Sequence, residues 1–126
     1  YESGTITIKS SGRQMRNFVN LENLSRAIDC ILQHFPDRYE CYNLASSQTH
    51  TMVDVAEKVK QVYESLFHRP VLLNITGTEP KQSNVFNVSL QKLKNIGFTE
   101  AQNYTLASET EQIFHYLKSN QTHESY

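Results

Sequence analysis

Residues 12–35 read GRQMRNFVNLENLSRAIDCILQHF, and the two halves of this stretch ask for different backbones. Gly12 closes a Ser10-Ser11-Gly12 turn. Arg16 then precedes the alternating run Phe18, Val19, Asn20, Leu21, the pattern of an extended segment. From Asn23 the period changes. Leu24, Ala27, Ile28, Ile31, Leu32 and Phe35 recur at intervals of three and four, which puts all six on one face of a helix capped by Asn23. Arg16 is therefore expected early in a short strand, beside a helix that buries its apolar side. A guanidinium mounted there, and not on a loose loop, suits a phosphate, whose oxygens it can grip two at a time. Residue types alone leave a second reading open, a surface ion pair with Glu22 or Asp29.

Working outward, residues 5–9 alternate as a half-buried strand that ends at the Ser10-Ser11-Gly12 turn. Pro36 and Asp37 stop the first helix. Residues 41–45 read as a short strand, followed by the polar run Ser46-Ser47-Gln48-Thr49-His50. Thr51 with Asp54 three residues later forms a capping-box variant. It opens the longest helix, whose inner face is Met52, Val55, Ala56, Val59, Val62, Tyr63 and Leu66. Pro70 precedes a strand at residues 71–75, then a loop at 77–83 and a brief extended piece at 84–88. Ser89 caps a short helix carrying Leu90, Leu93 and Ile96, closed by Gly97. Thr105 caps a last helix that turns Leu106, Ile113, Phe114 and Leu117 inward. No internal repeat or low-complexity segment interrupts this order.

The chain has 126 residues, enough for one domain with one modest core. A formal net charge of −1 gives no basic field for nucleic acid or a membrane surface. No run approaches the roughly 20 apolar residues of a membrane span, and no charged-then-apolar leader opens the sequence. The start, Tyr1-Glu2-Ser3-Gly4, has no initiator methionine and leads straight into a strand, which suggests a piece of something larger. Cys30 and Cys41 form no CxxC pair, so reduced, buried thiols in a cytoplasmic protein are expected. The Asn-x-Ser/Thr triplets at Asn23, Asn74, Asn87, Asn103 and Asn120 read as caps and turns in a chain rich in these residues. The histidines at 34, 50, 68, 115 and 123 are scattered, so no metal site follows.

Residues 12–19, Gly-Arg-Gln-Met-Arg-Asn-Phe-Val, followed by Glu22-Asn23-Leu24-Ser25-Arg26-Ala27-Ile28, resemble a segment of the extended short-chain dehydrogenase/reductases. The NAD-dependent nucleotide-sugar epimerases and dehydratases of that family carry a pattern close to G-x-Q-x-R-D-F-V-H-V-x-D-L-x-x-A-I. Asn17, Asn20 and Asn23 stand at its acidic or histidine slots. Tyr42-Asn43-Leu44-Ala45-Ser46-Ser47 is similar to the family's Y-N-L-G-S-G, and residues 92–98, KLKNIGF, to its S-K-L-x-x-L-G-F with Gln91 in place of serine. The motifs follow the family's order from about residue 5 to 117.

The resemblance implies an α/β fold of short strands alternating with four helices. This would be the C-terminal, substrate-binding portion of an extended Rossmann-type enzyme, occupying residues 1–118, with 119–126 a frayed tail. It implies that Arg16 grips the diphosphate of a nucleotide-sugar, with Lys81 as a weaker second cation and Gln14 flanking the pocket. NAD or NADP would be bound by the intact enzyme and by no part of this chain. The sequence has no G-x-x-G-x-x-G and no Y-x-x-x-K, the family's cofactor cradle and acid/base pair, so the chain alone is expected to be catalytically silent. The strand at Tyr42 and the first helix would pack on the missing cofactor domain, leaving the isolated piece with an exposed apolar patch and a tendency to self-associate. Two rivals stand beside this: a non-catalytic relative serving regulation or assembly, and an unrelated small α/β binding module. Ser46, Ser47, His50 and Asp54 lack the G-x-S-x-G elbow of a hydrolase, and Ser89-Leu90-Gln91-Lys92 matches S-x-x-K without its partner motifs.

Overall fold

The computed structural model describes residues 4–35, 37–78 and 87–121. Among them the order is β1 (Thr5–Ile8), β2 (Met15–Asn17), α1 (Leu21–Gln33), β3 (Thr49–Thr51), α2 (Met52–Phe67), β4 (Leu72–Ile75), α3 (Gln91–Asn95) and α4 (Leu106–Gln121). The chain is thus α/β, with short strands and four helices among the described residues. β1 pairs parallel with β4, Thr5 opposite Leu72 through Ile8 opposite Ile75. β2 pairs antiparallel with β3 as a separate two-stranded ribbon.

Two clusters make the core. Ala27, Leu93 and Phe98 form one, joined by the half-buried Cys30, Ile31, Tyr42 and Leu44. Tyr63, Val71 and Phe114 form the other, flanked by Ile6, Val59 and Val62. Within the second, Tyr63, Phe67 and Phe114 meet as a trio with centroids 4.7, 5.6 and 5.8 Å apart, two of the three contacts edge-on. This trio fastens α4 to α2.

The α2 cap is as expected. Thr51 Oγ1 accepts the Asp54 N–H (3.1 Å), and Asp54 Oδ2 accepts the Thr51 N–H (2.9 Å). Hydrogen bonds from Thr51 are the main reason that the Asp54 carboxyl is held below its ordinary value of 3.8, with His50 adding to the effect. The ionised form is the one favoured by folding. Its contribution is therefore present above about pH 3.8 and is lost as pH falls through the lower folded value. Replacing Thr51 by alanine is expected to cost about 1 kcal/mol at neutral pH, read from denaturant midpoints, and less in acid where Asp54 is already protonated.

Thr105 caps α4 likewise, its hydroxyl taking the Ser108 N–H at 3.1 Å. Gly97, at φ +94°, ends α3 as expected. α4 continues through Ser119 and Asn120 to Gln121.

Elsewhere the structure departs from expectation. α1 begins at Leu21, capped by Asn20, whose Oδ1 accepts the Asn23 N–H at 2.7 Å. Asn23 is instead buried, and its Oδ1 accepts the Ala101 N–H at 2.8 Å, tying α1 to the loop after α3. The side of α1 turned to the core is Asn23 and Ala27, with Cys30 and Ile31. The larger residues of the apolar stripe lie outside: Leu24, Ile28, Leu32 and Phe35 are 43, 48, 62 and 76% exposed. On α4, Phe114 is buried while Ile113 and Leu117 are exposed. α3 starts at Gln91 with Leu90 at its N-cap and no side-chain cap bond. Ser89 Oγ receives only a long 3.4 Å bond from the Gln91 N–H.

No strand forms at residues 41–45, although their burial alternates as a strand's would. Tyr42 and Leu44 rest on the first core cluster. What is absent among the described residues is a backbone partner, and a strand exists only through its ladder. The polar run expected to be loop supplies the third strand, with Thr49 and Thr51 set against Asn17 and Met15. Both cysteines are free thiols, but only Cys30 is half-buried; Cys41 is exposed because its segment lies at the surface. Residues 79–86, which hold most of the expected loop at 77–83 and extended piece at 84–88, lie outside the described residues.

Candidate functional site

The β2–β3 ribbon carries Arg16, and its register decides what surrounds it. Met15 faces Thr51, Arg16 faces His50 and Asn17 faces Thr49. Side chains alternate across a strand, so Arg16 and His50 share one side of the ribbon, and Asn17 and Thr49 share the other. Two cavities that share Ser46, Ser47 and Glu100 lie beside the ribbon, and Arg16 lines neither. His50 and Phe18 help line one of about 430 Å³, whose far wall includes Tyr104, Glu109 and Thr110. Asn17 and Thr49 help line another of about 440 Å³, whose rim includes Ser89, Lys94 and Glu100.

Arg16 is exposed, and its Nη1 donates to its neighbour's carbonyl, Met15 O, at 3.0 Å. The ion pairs that composition left open do not form. Glu22 is taken by Arg26 at 2.8 Å, and among the described residues no carboxylate lies within 4.0 Å of Arg16. A strand-mounted guanidinium without a carboxylate partner keeps its donors available to an incoming anion. Gln14, half-buried, accepts from the Ser10 hydroxyl at 3.1 Å, while its carbonyl takes the Met52 N–H at 3.2 Å. Lys81 lies outside the described residues.

The three asparagines at acidic or histidine places of the resembled pattern each have definite work. Asn20 caps α1 and Asn23 holds the Ala101 backbone. Asn17 reaches across 29 residues: it accepts the Ser46 N–H at 2.7 Å and donates to the carbonyls of Ser46 (2.8 Å) and Gln48 (3.1 Å). Sequence reading missed Asn17 and His50 as site neighbours. The partners of the first are too distant in sequence to leave a local signal. The second sat in a run too polar to suggest a strand.

Other sequence candidates are not assembled. Ser46 Oγ accepts from the Gln48 N–H at 3.1 Å, and Asp54 serves Thr51, so among the described residues no serine is bonded to His50 and no triad exists. Lys92 turns away from Ser89 toward Glu40 (3.9 Å), the Cys41 carbonyl (3.3 Å) and the ring of Tyr42 (6.0 Å). Desolvation, with help from Glu40, pushes the Tyr42 hydroxyl above its ordinary value, which is the wrong direction for an acid/base tyrosine at neutral pH. No metal-ligating cluster occurs among the described residues. None of their helices is long and apolar enough to cross a membrane.

A dinucleotide needs glycines at a helix N-terminus so that the pyrophosphate can approach the backbone. The glycines of this chain go elsewhere. A Cβ on Gly12, at φ +69°, would stand 2.6 Å from Val53 Cγ2, and one on Gly77 would collide with the Ser10 backbone. Neither opens a helix, and Gly4 and Gly97 do not either.

No protein-family model matches the sequence, and no curated protein matches it. The fold is nevertheless that of part of an extended short-chain dehydrogenase/reductase. Among the solved structures that share it is UDP-glucuronic acid 4-epimerase from Bacillus cereus in complex with UDP-glucuronic acid and NAD. The match has a TM-score of 0.66 at 16% identity, over 90% of this chain and 35% of that one. UDP-glucose 4-epimerase from Bifidobacterium longum, in complex with NAD+ and UDP, matches with a TM-score of 0.68 at 14% identity, over 93% and 36%. The chain therefore spans little more than a third of the length of the structures it matches.

Proposed function

We propose that this chain is the nucleotide-sugar-binding portion of an NAD(P)-dependent sugar epimerase or dehydratase. Arg16 holds the diphosphate, and Gln14 and Lys81 complete the pocket. One observation carries the reading: an exposed guanidinium, mounted on a short strand with no carboxylate partner among the described residues, on a fold shared with enzymes solved with UDP-glucuronic acid and with UDP. The cofactor and the acid/base pair belong to the rest of the protein, because neither the G-x-x-G-x-x-G nor the Y-x-x-x-K motif is in this sequence. The chain alone is accordingly inactive, and its compartment is the cytoplasm, where Cys30 and Cys41 stay reduced. Titration of the full-length protein with UDP-, dTDP- and GDP-sugars tests the reading. Saturable binding of one series supports it; no binding of any series overturns it.

The exposed stripe of α1, Leu24, Ile28, Leu32 and Phe35, together with the unladdered segment at 41–45, forms the surface that meets the cofactor domain. With nothing over it, the stripe drives self-association. Sedimentation of the isolated chain is expected to show concentration-dependent oligomers, and Ile28→Glu with Leu32→Lys is expected to restore the monomer. A wild-type chain that stays monomeric at high concentration would contradict this surface. A second reading, a non-catalytic regulatory or assembly subunit, draws on the three asparagines, which replace charge with structural hydrogen bonds. A Y-x-x-x-K upstream in the full-length sequence decides for the enzyme.

A further inference from the structure

Leu106, Glu109, Thr110 and Ile113 recur at helical spacings of three and four, so one side of α4 sets a carboxylate among apolar and hydroxyl side chains. That side lines the cavity of about 430 Å³ beside the ribbon, together with Val55 and Val59 of α2 and the rings of Phe18 and Tyr104. The volume is that of a small-molecule pocket. Glu109 is half-buried, and its Oε1 is fully enclosed with no hydrogen-bond partner among the described residues. Neighbouring donors are spent elsewhere. The Thr110 hydroxyl donates to the Leu106 carbonyl at 2.6 Å, and the Ser47 N–H donates to Glu100 Oε1 at 2.8 Å. Among the described residues Glu109 enters no ion pair either. Its place in the first turn of α4 suits a negative charge, but a helix dipole supplies no N–H to Oε1. A buried acceptor left unserved is costly, and on a cavity wall it calls for a donor from outside the chain.

We propose that this cavity binds a small organic amine, with Glu109 as the counter-ion of its ammonium group. The lining selects that class. Among the described residues no lysine or arginine lines the cavity, whereas Glu100 and Glu109 both do, and His50 is its one basic side chain. Such a wall favours a cation over a phosphate. An ammonium carries three donors and a charge on one atom, so it serves the enclosed oxygen better than a hydroxyl, which brings one donor and no charge. Val55, Val59 and Ile113 give the apolar body of the ligand a surface to rest on, and Phe18 and Tyr104 add cation–π attraction. The site is separate from Arg16, which does not line this cavity.

The probe is phenethylammonium, titrated into the full-length protein at neutral pH and fixed salt and followed by ligand-observed NMR. Saturable binding is expected, with hydrocinnamate, a carboxylate on the same hydrocarbon body, at least about tenfold weaker. Glu109→Gln keeps the shape and removes the charge. It is expected to weaken the amine at least about tenfold, the worth of a charge-assisted hydrogen bond, without lowering the melting temperature. Ile113→Lys is the second variant. Residue 113 is 57% exposed and stands four places after Glu109, the spacing at which a lysine reaches a glutamate on a helix. An ammonium supplied from within the chain is expected to block the probe while Glu109 is retained. UDP, titrated alongside, is expected to bind both variants as it binds wild type. No saturable binding of phenethylammonium, equal binding of hydrocinnamate, or equal affinity in wild type and Glu109→Gln overturns the amine site and leaves the diphosphate reading standing. A Glu109→Gln protein that loses UDP affinity also overturns it, since the cavity would then belong to the nucleotide. A wild type that binds the amine and not UDP supports this site and overturns the diphosphate reading.

Discussion

Leu93→Ala is expected to lower the stability of the fold by about 2–5 kcal/mol, in line with other large-to-small changes in a core. Leu93 is the most completely buried large side chain in the described structure, at 1% exposure, although it sits on a helix of only five residues. A helix so short has almost no stability of its own. It persists because Leu93 is inserted between Ala27 of α1 and Phe98 just beyond α3, with Tyr42 and Leu44 closing the space. Ala27 contributes little volume there, so Leu93 fills most of the contact, and truncation would empty it. Tyr42 and Leu44 belong to a segment with no ladder to hold it, which allows some collapse and favours the lower part of the range. Urea denaturation of the wild type and the variant reads the difference directly. Leu72→Ala is the control: its side chain is 60% exposed, and surface changes of this kind stay within about 0.5 kcal/mol. A loss at Leu93 no larger than at Leu72 would mean that α3 is held by something other than this insertion.

The same cluster explains which parts of the fold were legible in the sequence. Caps that close within three residues were readable: Thr51 with Asp54, and Thr105 at the start of α4, stand where local chemistry puts them. The start of α1 was not, because Asn20 and Asn23 are equally good caps and the choice depends on a distant backbone, the Ala101 N–H that claims Asn23. The inward face of α1 was misread for a related reason. Hydrophobic periodicity points to Leu24, Ile28 and Leu32, but the core that the chain itself provides lies on the small-residue side at Ala27. Periodicity marks a face that wants cover without saying what covers it.

Residues 41–45 show the same limit for strands. Their alternation is real, and Tyr42 and Leu44 use it, yet a ladder is a property of two segments. Conversely, Thr49-His50-Thr51 became a strand because Met15, Arg16 and Asn17 are there to pair with it. At the candidate site, the sequence picked out Arg16 through the pattern around it. The sequence also offered two possible acidic partners for that guanidinium. Only the geometry, in which Glu22 goes to Arg26, removes the pairing that was the simplest alternative to anion binding.

The second large effect concerns Arg16 itself. Its removal from the full-length protein is expected to weaken UDP binding by about 1.5–3 kcal/mol, the usual range for a charge-assisted hydrogen bond, which corresponds to roughly 10- to 150-fold. Because Arg16 is exposed and, among the described residues, bonds only to the Met15 carbonyl, the change should leave the unfolding midpoint nearly unmoved. Arg16→Lys should recover part of the affinity, since an ammonium keeps the charge but not the two-pronged grip on phosphate oxygens. The loss should shrink as salt is raised, as an exposed ionic contact is screened. The deciding measurement is therefore the calorimetric titration of UDP into wild-type and Arg16→Ala full-length protein at matched salt. A loss of at least about tenfold with an unchanged melting temperature is the result expected of a diphosphate ligand. Equal affinities in the two proteins would contradict the assignment and leave Arg16 a surface residue on a shared fold.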